Sequence, residues 1–326
     1  MGEWRRDPIV DRWVVIAPDR AGRPAHFETR TRETGDPCPF CPGNEAETPP
    51  EILSWGRAVP DPDGPGWAGR IVPNRYPAFS GSIPPGAGAP GRLERAMLGG
   101  GHEIVIEGPD HEPGPGAGST RLRASLKAAR TRLAFWSGVP GIRQVLLFKN
   151  HGEAAGATLA HPHLQIVALP RPAPAIEAER EGLRPAGTCG YCRLLQDEAA
   201  RGERVVDQTG SLSTVTPFAS RVPFETWILP QDHAASFLAA PDPLLEELAD
   251  RLQDLLGRLG RVIGSLAYNW ILHTAPVGAG EAEFHWHLEI LPRTVHQAGF
   301  EWGAGIHLNP VSPEDAARRL VEAGPR

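Results

Sequence analysis

Two stretches of this 326-residue chain place histidines two apart, His161-Pro162-His163-Leu164-Gln165 and His285-Trp286-His287-Leu288-Glu289. Residues two apart on an extended strand share a face, so His161, His163 and Gln165 line up. A neutral imidazole is a competent nucleophile near pH 7. If a metal holds His161, His163 is anchored one step along with its ring available. Attack on the α-phosphorus of a nucleoside diphosphate sugar would then give a phosphoramidate, splitting one displacement into two easier ones. Gln165 would donate its amide NH2 to a phosphoryl oxygen as charge develops. Upstream runs Asn150-His151-Gly152-Glu153-Ala154-Ala155-Gly156-Ala157-Thr158. Small residues such as Gly156 let backbone N–H groups approach phosphate, and Thr158 adds a hydroxyl donor. The second stretch lacks such a loop and carries Glu289 where Gln165 stands, and a carboxylate repels phosphate. The first half is therefore the expected catalytic one.

The four cysteines fall in two pairs, Cys38-x-x-Cys41 and Cys189-x-x-Cys192. In a reducing compartment such pairs are more often metal ligands or redox thiols than disulfides. Zinc favours tetrahedral Cys and His ligands, often starting from a C-x-x-C knuckle. The first half offers Cys38, Cys41, His111 and His161, and the second Cys189, Cys192, His233 and His285. Each set fills four positions, so two structural zinc sites are expected, with redox dithiols or buried thiols as the alternative. The second set is less closed: His287 could replace His285, and His273, Glu289 or Glu181 could contribute.

These residues recur in the same order, which reads as a duplication. From His111 to His161 is 50 residues, and from His233 to His285 is 52. Each interval holds a helical pattern, over 119–137 with Leu122, Leu126, Ala129, Leu133 and Trp136, and over 243–264 with Leu244, Leu248, Leu252, Leu255, Leu259 and Val262. Asp242 and Pro243 supply a cap and a favoured first helical residue. EIVIEG, QVLLFKN, LQIVAL, ETWILP and LEILP read as strands, and the run YNWILHTAP stands in the second half where QVLLFKN stands in the first. Strands in runs with one main helix per half predict an α+β fold with antiparallel sheets, as halves 1–175 and 176–326. Residues 59–69 and 84–91 read as surface loops. The net charge of −6 argues against a nucleic-acid partner. No apolar run of about 20 residues suggests a membrane span, and no secretion signal opens the chain, so a cytoplasmic protein is expected.

At these motifs the sequence resembles galactose-1-phosphate uridylyltransferase and its relatives in the histidine-triad superfamily. The signature His-Pro-His-x-Gln stands at His161–Gln165. The resemblance extends over DPIVDRWVVIAPDRAGRP, CPFCPGNE, VPNRYPAF, FKNHGEAAGATLAHPHLQ, PFASRVPFETWILPQDH and GFEWGAGIHLNPVSPEDAARRL. It implies two histidine-triad-like halves sharing an antiparallel sheet, a half-barrel with helices packed on it, as a homodimer. It also implies ping-pong chemistry in galactose metabolism: UMP moves from a UDP-hexose to His163 and then to a hexose 1-phosphate. Arg20, Arg23, Asn74 and Asn150 fall where the family contacts nucleotide, Thr158 and Gln165 where it contacts phosphate, and Glu301 where it touches sugar hydroxyls, often from the partner subunit. Leu164 departs from the small residue common in the signature. The bacterial uridylyltransferases have an iron-type second site of one glutamate and three histidines. Here Glu289 and Cys189–Cys192 depart from it, towards a two-zinc branch that includes adenylyl-sugar phosphorylases. An ADP-sugar phosphorylase is thus the second reading, and a non-catalytic zinc protein that binds nucleotides the third.

Overall fold

The computed structural model describes residues 3–6, 13–16, 37–81, 95–97, 99–111, 117–183 and 189–325. In chain order come β1 (Glu3–Arg6), β2 (Trp13–Ile16), β3 (Leu53–Trp55), β4 (Gly69–Pro73), β5 (Arg95–Met97), β6 (Gly101–Ile106), α1 (Ala117–Ser137), β7 (Gln144–His151) and β8 (His163–Leu169). The second half continues with α2 (Pro174–Leu183), α3 (Gly190–Arg201), β9 (Val205–Asp207), β10 (Leu212–Val215), β11 (Thr226–Pro230), α4 (Asp242–Ile263), β12 (Tyr268–His273), β13 (His287–Pro292), α5 (Gly299–Ala304) and α6 (Pro313–Glu322). Strands β2-β1-β5 form a small sheet, and the other ten form one sheet in the order β3-β4-β6-β8-β7-β12-β13-β11-β10-β9. Its pairings are antiparallel. The fold is α+β, as the pattern predicts.

The order is symmetric about the β7–β12 junction. Reading outward gives β7, β8, β6 on one side and β12, β13, β11 on the other, with α1 inserted between β6 and β7 and α4 between β11 and β12. The two His-x-His strands, β8 and β13, therefore occupy matching places one strand from the centre. The sheet runs unbroken between the halves.

Strand β8 shows how the sheet presents chemistry. All seven residues of HLQIVAL are buried, so both faces are covered. Leu164, Ile166 and Ala168 enter the main core with Leu122, Leu126, Ala129 and Leu133 of α1 and Leu245, Leu248, Leu252, Leu255 and Leu259 of α4. Each fully buried leucine contributes about 1.5–3 kcal/mol from the area it removes from water. His163, Gln165 and Val167 alternate with these and point away from the helices. Helices α1 and α4 thus cover one face of the strand while His163 and Gln165 lie on the other.

Two expectations change in detail. Helix α4 starts at Asp242 with Pro241, not Asp242, in the capping place. The Asp242 carboxylate instead reaches α1, 2.5 Å from Arg130 and 3.2 Å from Lys127. The chain also forms α2, α3, α5 and α6 beyond one main helix per half. Their patterns span only 6 to 12 residues, too short to stand out beside the long leucine stripes. Residues 59–69 are irregular until β4 begins at Gly69, though Trp67 among them is buried. The 84–91 segment lies outside the described residues. No helix among the described residues is long and apolar enough to cross a membrane.

Candidate functional site

The first Cys/His group gathers around the entrance to β8. The Cys38–Asn44 turn is closed by Cys41 N–H donating to Cys38 O at 3.1 Å and by Asn44 Nδ2 to the same oxygen at 2.8 Å. This brings both thiols to the His161 ring, with Cys38 Sγ and Cys41 Sγ each 3.8 Å from Nδ1. Zinc bonds of about 2.3 Å to sulfur and 2.0–2.1 Å to nitrogen set a tetrahedral S···N edge of about 3.6 Å. The spacing therefore fits. His161 Nε2 donates to Gly108 O at 2.7 Å, which fixes the tautomer and leaves Nδ1 as the lone-pair donor. The His111 ring stacks edge-on at 4.7 Å and completes the set. Phe40, Trp67, Val72, Ile104 and Ile106 back it with apolar surface.

The second group repeats this design. Cys189 caps α3 and Cys192 sits in its first turn. His285 Nδ1 lies 3.7 Å from Cys189 Sγ and 3.5 Å from Cys192 Sγ, and His233 Nδ1 lies 3.5 Å from Cys192 Sγ. Each imidazole is again oriented by a carbonyl, His285 Nε2 to Pro230 O at 3.0 Å and His233 Nε2 to Glu281 O at 2.8 Å. Burial and the neighbouring thiol of each pair raise the Cys41 and Cys192 thiols above their ordinary range. Both groups fit two zinc ions, each held by four protein ligands.

His163 stands on the first strand residue past this anchor. Its Nδ1 donates to His161 O at 2.8 Å, so Nε2 carries the lone pair, and that atom has no hydrogen-bond partner among the described residues. Burial pushes the imidazole down to about 4, which keeps it neutral at physiological pH. The Phe40 ring meets it edge-on at 5.4 Å. Gln165, one step along the same face, has its Oε1 3.0 Å from His102 Nε2, and Asn74 Nδ2 approaches that same nitrogen at 3.0 Å. The structure thus brings His163, Gln165 and Asn74 into one region.

The loop after β7 is shaped by Gly152 (φ 81°) and Gly156 (φ 79°), which flank the turn Glu153–Ala155. A side chain at Gly152 would meet Ala267 at 2.8 Å. The N–H groups of Ala155, Gly156 and Ala157 are bonded within the loop, to Gly152 O and Glu153 O, so the exposed Gly156 and Thr158 are what it presents outward. Asn150 at the end of β7 accepts from Asn269 Nδ2 at 2.8 Å, and Asn269 also holds Ala155 O at 2.9 Å. Glu301 sits in the first turn of α5 and accepts Ala298 N–H at 3.0 Å, away from β8. Arg20 and Arg23 lie outside the described residues.

A third group gathers Glu179, His273, His287 and Glu289 on the same sheet face in the second half. Sequence reasoning reached His273, His287 and Glu289 but chose Glu181. On α2 two residues are about 200° apart, and Glu179 shares the inward side with buried Ile176 while Glu181 is exposed. Here His285 serves the thiol group and His287 the third group, so the two do not compete. The third group's short polar contacts include His273 Nδ1 to Glu179 Oε1 at 2.8 Å and Arg221 to Glu289 Oε2 at 2.6 Å. Also missed is a buried ion pair, Lys149 with Glu107. Burial lowers the Lys149 ammonium, but Glu107 and Tyr268 together outweigh it and the net direction is upward. Neither partner is near the other in sequence, so no local pattern marks the pair.

A family model described as a domain of unknown function, DUF4921, matches residues 92–324. An ADP-glucose phosphorylase of Arabidopsis thaliana is 34% identical over 98% of this chain and 92% of its own length. A galactose-1-phosphate uridylyltransferase of Thermotoga maritima is 27% identical over 99% of this chain and 98% of its own. Among solved structures, the Arabidopsis ADP-glucose phosphorylase with bound ADP-glucose matches with a TM-score of 0.74 at 29% identity, covering 99% of both chains. A uridylyltransferase structure matches with a TM-score of 0.80 at 28% identity, covering 98% of both. The chain therefore belongs to the DUF4921 family of galactose-1-phosphate-uridylyltransferase-like proteins.

Proposed function

We propose that this chain is a nucleotidyltransferase in which His163 Nε2 carries a nucleoside monophosphate between a nucleotide sugar and a phosphate acceptor. One observation carries the reading: a neutral imidazole has its Nδ1 proton engaged by His161 O at 2.8 Å, which leaves the Nε2 lone pair available on the strand face it shares with Gln165. Nε2 attacks the α-phosphorus, the P–O bond to the β-phosphate breaks, and hexose 1-phosphate leaves with the electron pair. In the second step an acceptor phosphate oxygen attacks the same phosphorus and the N–P bond breaks, returning the pair to His163. Cys38, Cys41, His111 and His161 would hold the first zinc, and Cys189, Cys192, His233 and His285 the second. Zinc would there supply rigidity, and because each set is closed, no position is left for an activated water. Asn74, Asn150, Gly156, Thr158, Arg20 and Arg23 are assigned to nucleotide and phosphate.

The adenylyl form of this reaction, with inorganic phosphate as acceptor, is supported by the 34% identity to an ADP-glucose phosphorylase and by the two Cys/His groups. The uridylyl form, between UDP-hexose and hexose 1-phosphate, is supported by the full-length match to the Thermotoga uridylyltransferase. Phe300, Trp302, Ile306 and Leu308 form an exposed apolar run around Glu301. Such a run supports a homodimer in which Glu301 reaches the sugar of the partner's site. The test is intact mass after rapid mixing with ADP-glucose or UDP-glucose. An AMP adduct supports the first form and a UMP adduct the second. Consumption of either substrate with no adduct refutes the covalent reading.

A further inference from the structure

Three hydrogen-bond contacts converge on His102, a buried residue of β6 that the sequence does not mark. Ala78 donates its backbone N–H to His102 Nδ1 at 3.2 Å. A backbone N–H is only ever a donor, so Nδ1 must be the lone-pair nitrogen and a neutral ring then carries its proton on Nε2. Gln165 Oε1 lies 3.0 Å from that nitrogen and is its acceptor. Amide orientation follows from the network: with the oxygen bound to His102, the Gln165 NH2 turns the other way, and it has no acceptor among the described residues. Asn74 is held in the same sense. Its Oδ1 accepts Tyr76 N–H at 2.9 Å, which turns its NH2 towards His102 Nε2 at 3.0 Å. Nε2 is already a donor, so the Asn74 NH2 gains no acceptor from it.

Among the described residues, two amide groups therefore have their oxygens tied to the protein and their NH2 groups without a matching acceptor, and one of them, Gln165, shares the strand face of His163. An anionic ligand with several oxygens supplies what both lack. We propose that His102 is a positioning residue, which through its Nε2 proton fixes the Gln165 amide so that its NH2 faces the α-phosphate during nucleotidyl transfer. The proposal rests on the reading of His163 as nucleotide carrier. An unfixed glutamine amide can present oxygen in place of NH2, exchanging attraction for repulsion at the phosphorus.

The test is a double-mutant cycle on adduct formation in single turnover, with zinc content and melting temperature recorded for each variant. Gln165→Ala lowers the rate by roughly 10²–10³-fold, the usual loss of one donor to developing charge. His102→Phe lowers it by roughly tenfold or more, in kcat and not in KM, as expected for an interaction made mainly in the transition state. His102→Gln, which restores an N–H donor, recovers most of the rate. In the Gln165→Ala background His102→Phe changes the rate by less than about twofold, because the two residues act as one unit. Additive losses in the cycle overturn the proposal. A crystal structure of His102→Phe gives a readout that does not depend on turnover: the Gln165 amide is expected rotated or in two orientations. If it keeps its place and partners, His102 does not position it. A wild-type protein that consumes substrate without an adduct would sink the nucleotide-carrier reading itself, which these variants do not affect.

Discussion

Strands β8 and β13 are built alike and differ in one charge. Each follows a histidine whose Nε2 donates to a carbonyl, Gly108 O or Pro230 O, and whose Nδ1 faces two thiols. Each then presents a second histidine locked by its Nδ1 to the carbonyl before it, at 2.8 Å for His163 and 3.1 Å for His287. Burial pushes both down to about 4. Beyond that point they part. His163 Nε2 has an amide, Gln165, on its strand face. His287 Nε2 faces Tyr191 Oη at 3.5 Å, Glu179 Oε2 at 3.8 Å and Glu289 Oε1 at 4.0 Å. Two carboxylates around one nitrogen exclude a phosphoryl group, whereas an amide NH2 draws it in. The proposed nucleophile is thus set apart not by the histidine or its tautomer, which both halves share, but by the sign of its neighbour.

The largest effect expected is from His163→Gly, which removes the adduct completely while zinc content and the unfolding transition stay near those of the parent; intact mass and thermal melting read both. Gln165→Glu gives β8 the charge of β13, and adduct formation in rapid-quench assays is expected to fall by roughly 10²–10³-fold or more, since a donor is lost and a repulsive charge is added. Cys38→Ala and Cys189→Ala should each lose one of two zinc ions by metal analysis and melt earlier, because metal binding contributes folding free energy; unchanged zinc in either would remove that site. Lys149→Met leaves Glu107 as a buried unpaired charge and should cost about 3–5 kcal/mol in urea unfolding, with Glu107→Gln added to it recovering part. The smallest effect on the reaction is expected from Glu289→Gln: it alters the pairing with Arg221 but leaves the adduct rate within about twofold, as Glu289 belongs to the third group and not to the residues assigned to nucleotide, phosphate or sugar.

Much of this was legible in the sequence because zinc ligands and strand alternation leave local marks. C-x-x-C spacing, His-x-His on a period of two and leucines at helical spacing each follow from one element's geometry. What escaped depends on contacts between elements. His102 on β6 meets Gln165 on β8 and Ala78 in a loop. Lys149 meets Glu107 across 42 residues. Glu179 replaces Glu181 because the facing of α2 is decided by what α2 packs on, not by its own composition. Asp242 serves an ion pair with α1 and not a cap for the same reason.

The most direct measurement is to mix the zinc-loaded protein with nucleotide sugar, quench within one turnover and map the modified peptide. One nucleoside monophosphate per chain, bound to His163, is the expected result. Nucleotide on His287, or substrate consumed with no modified residue anywhere, would contradict it.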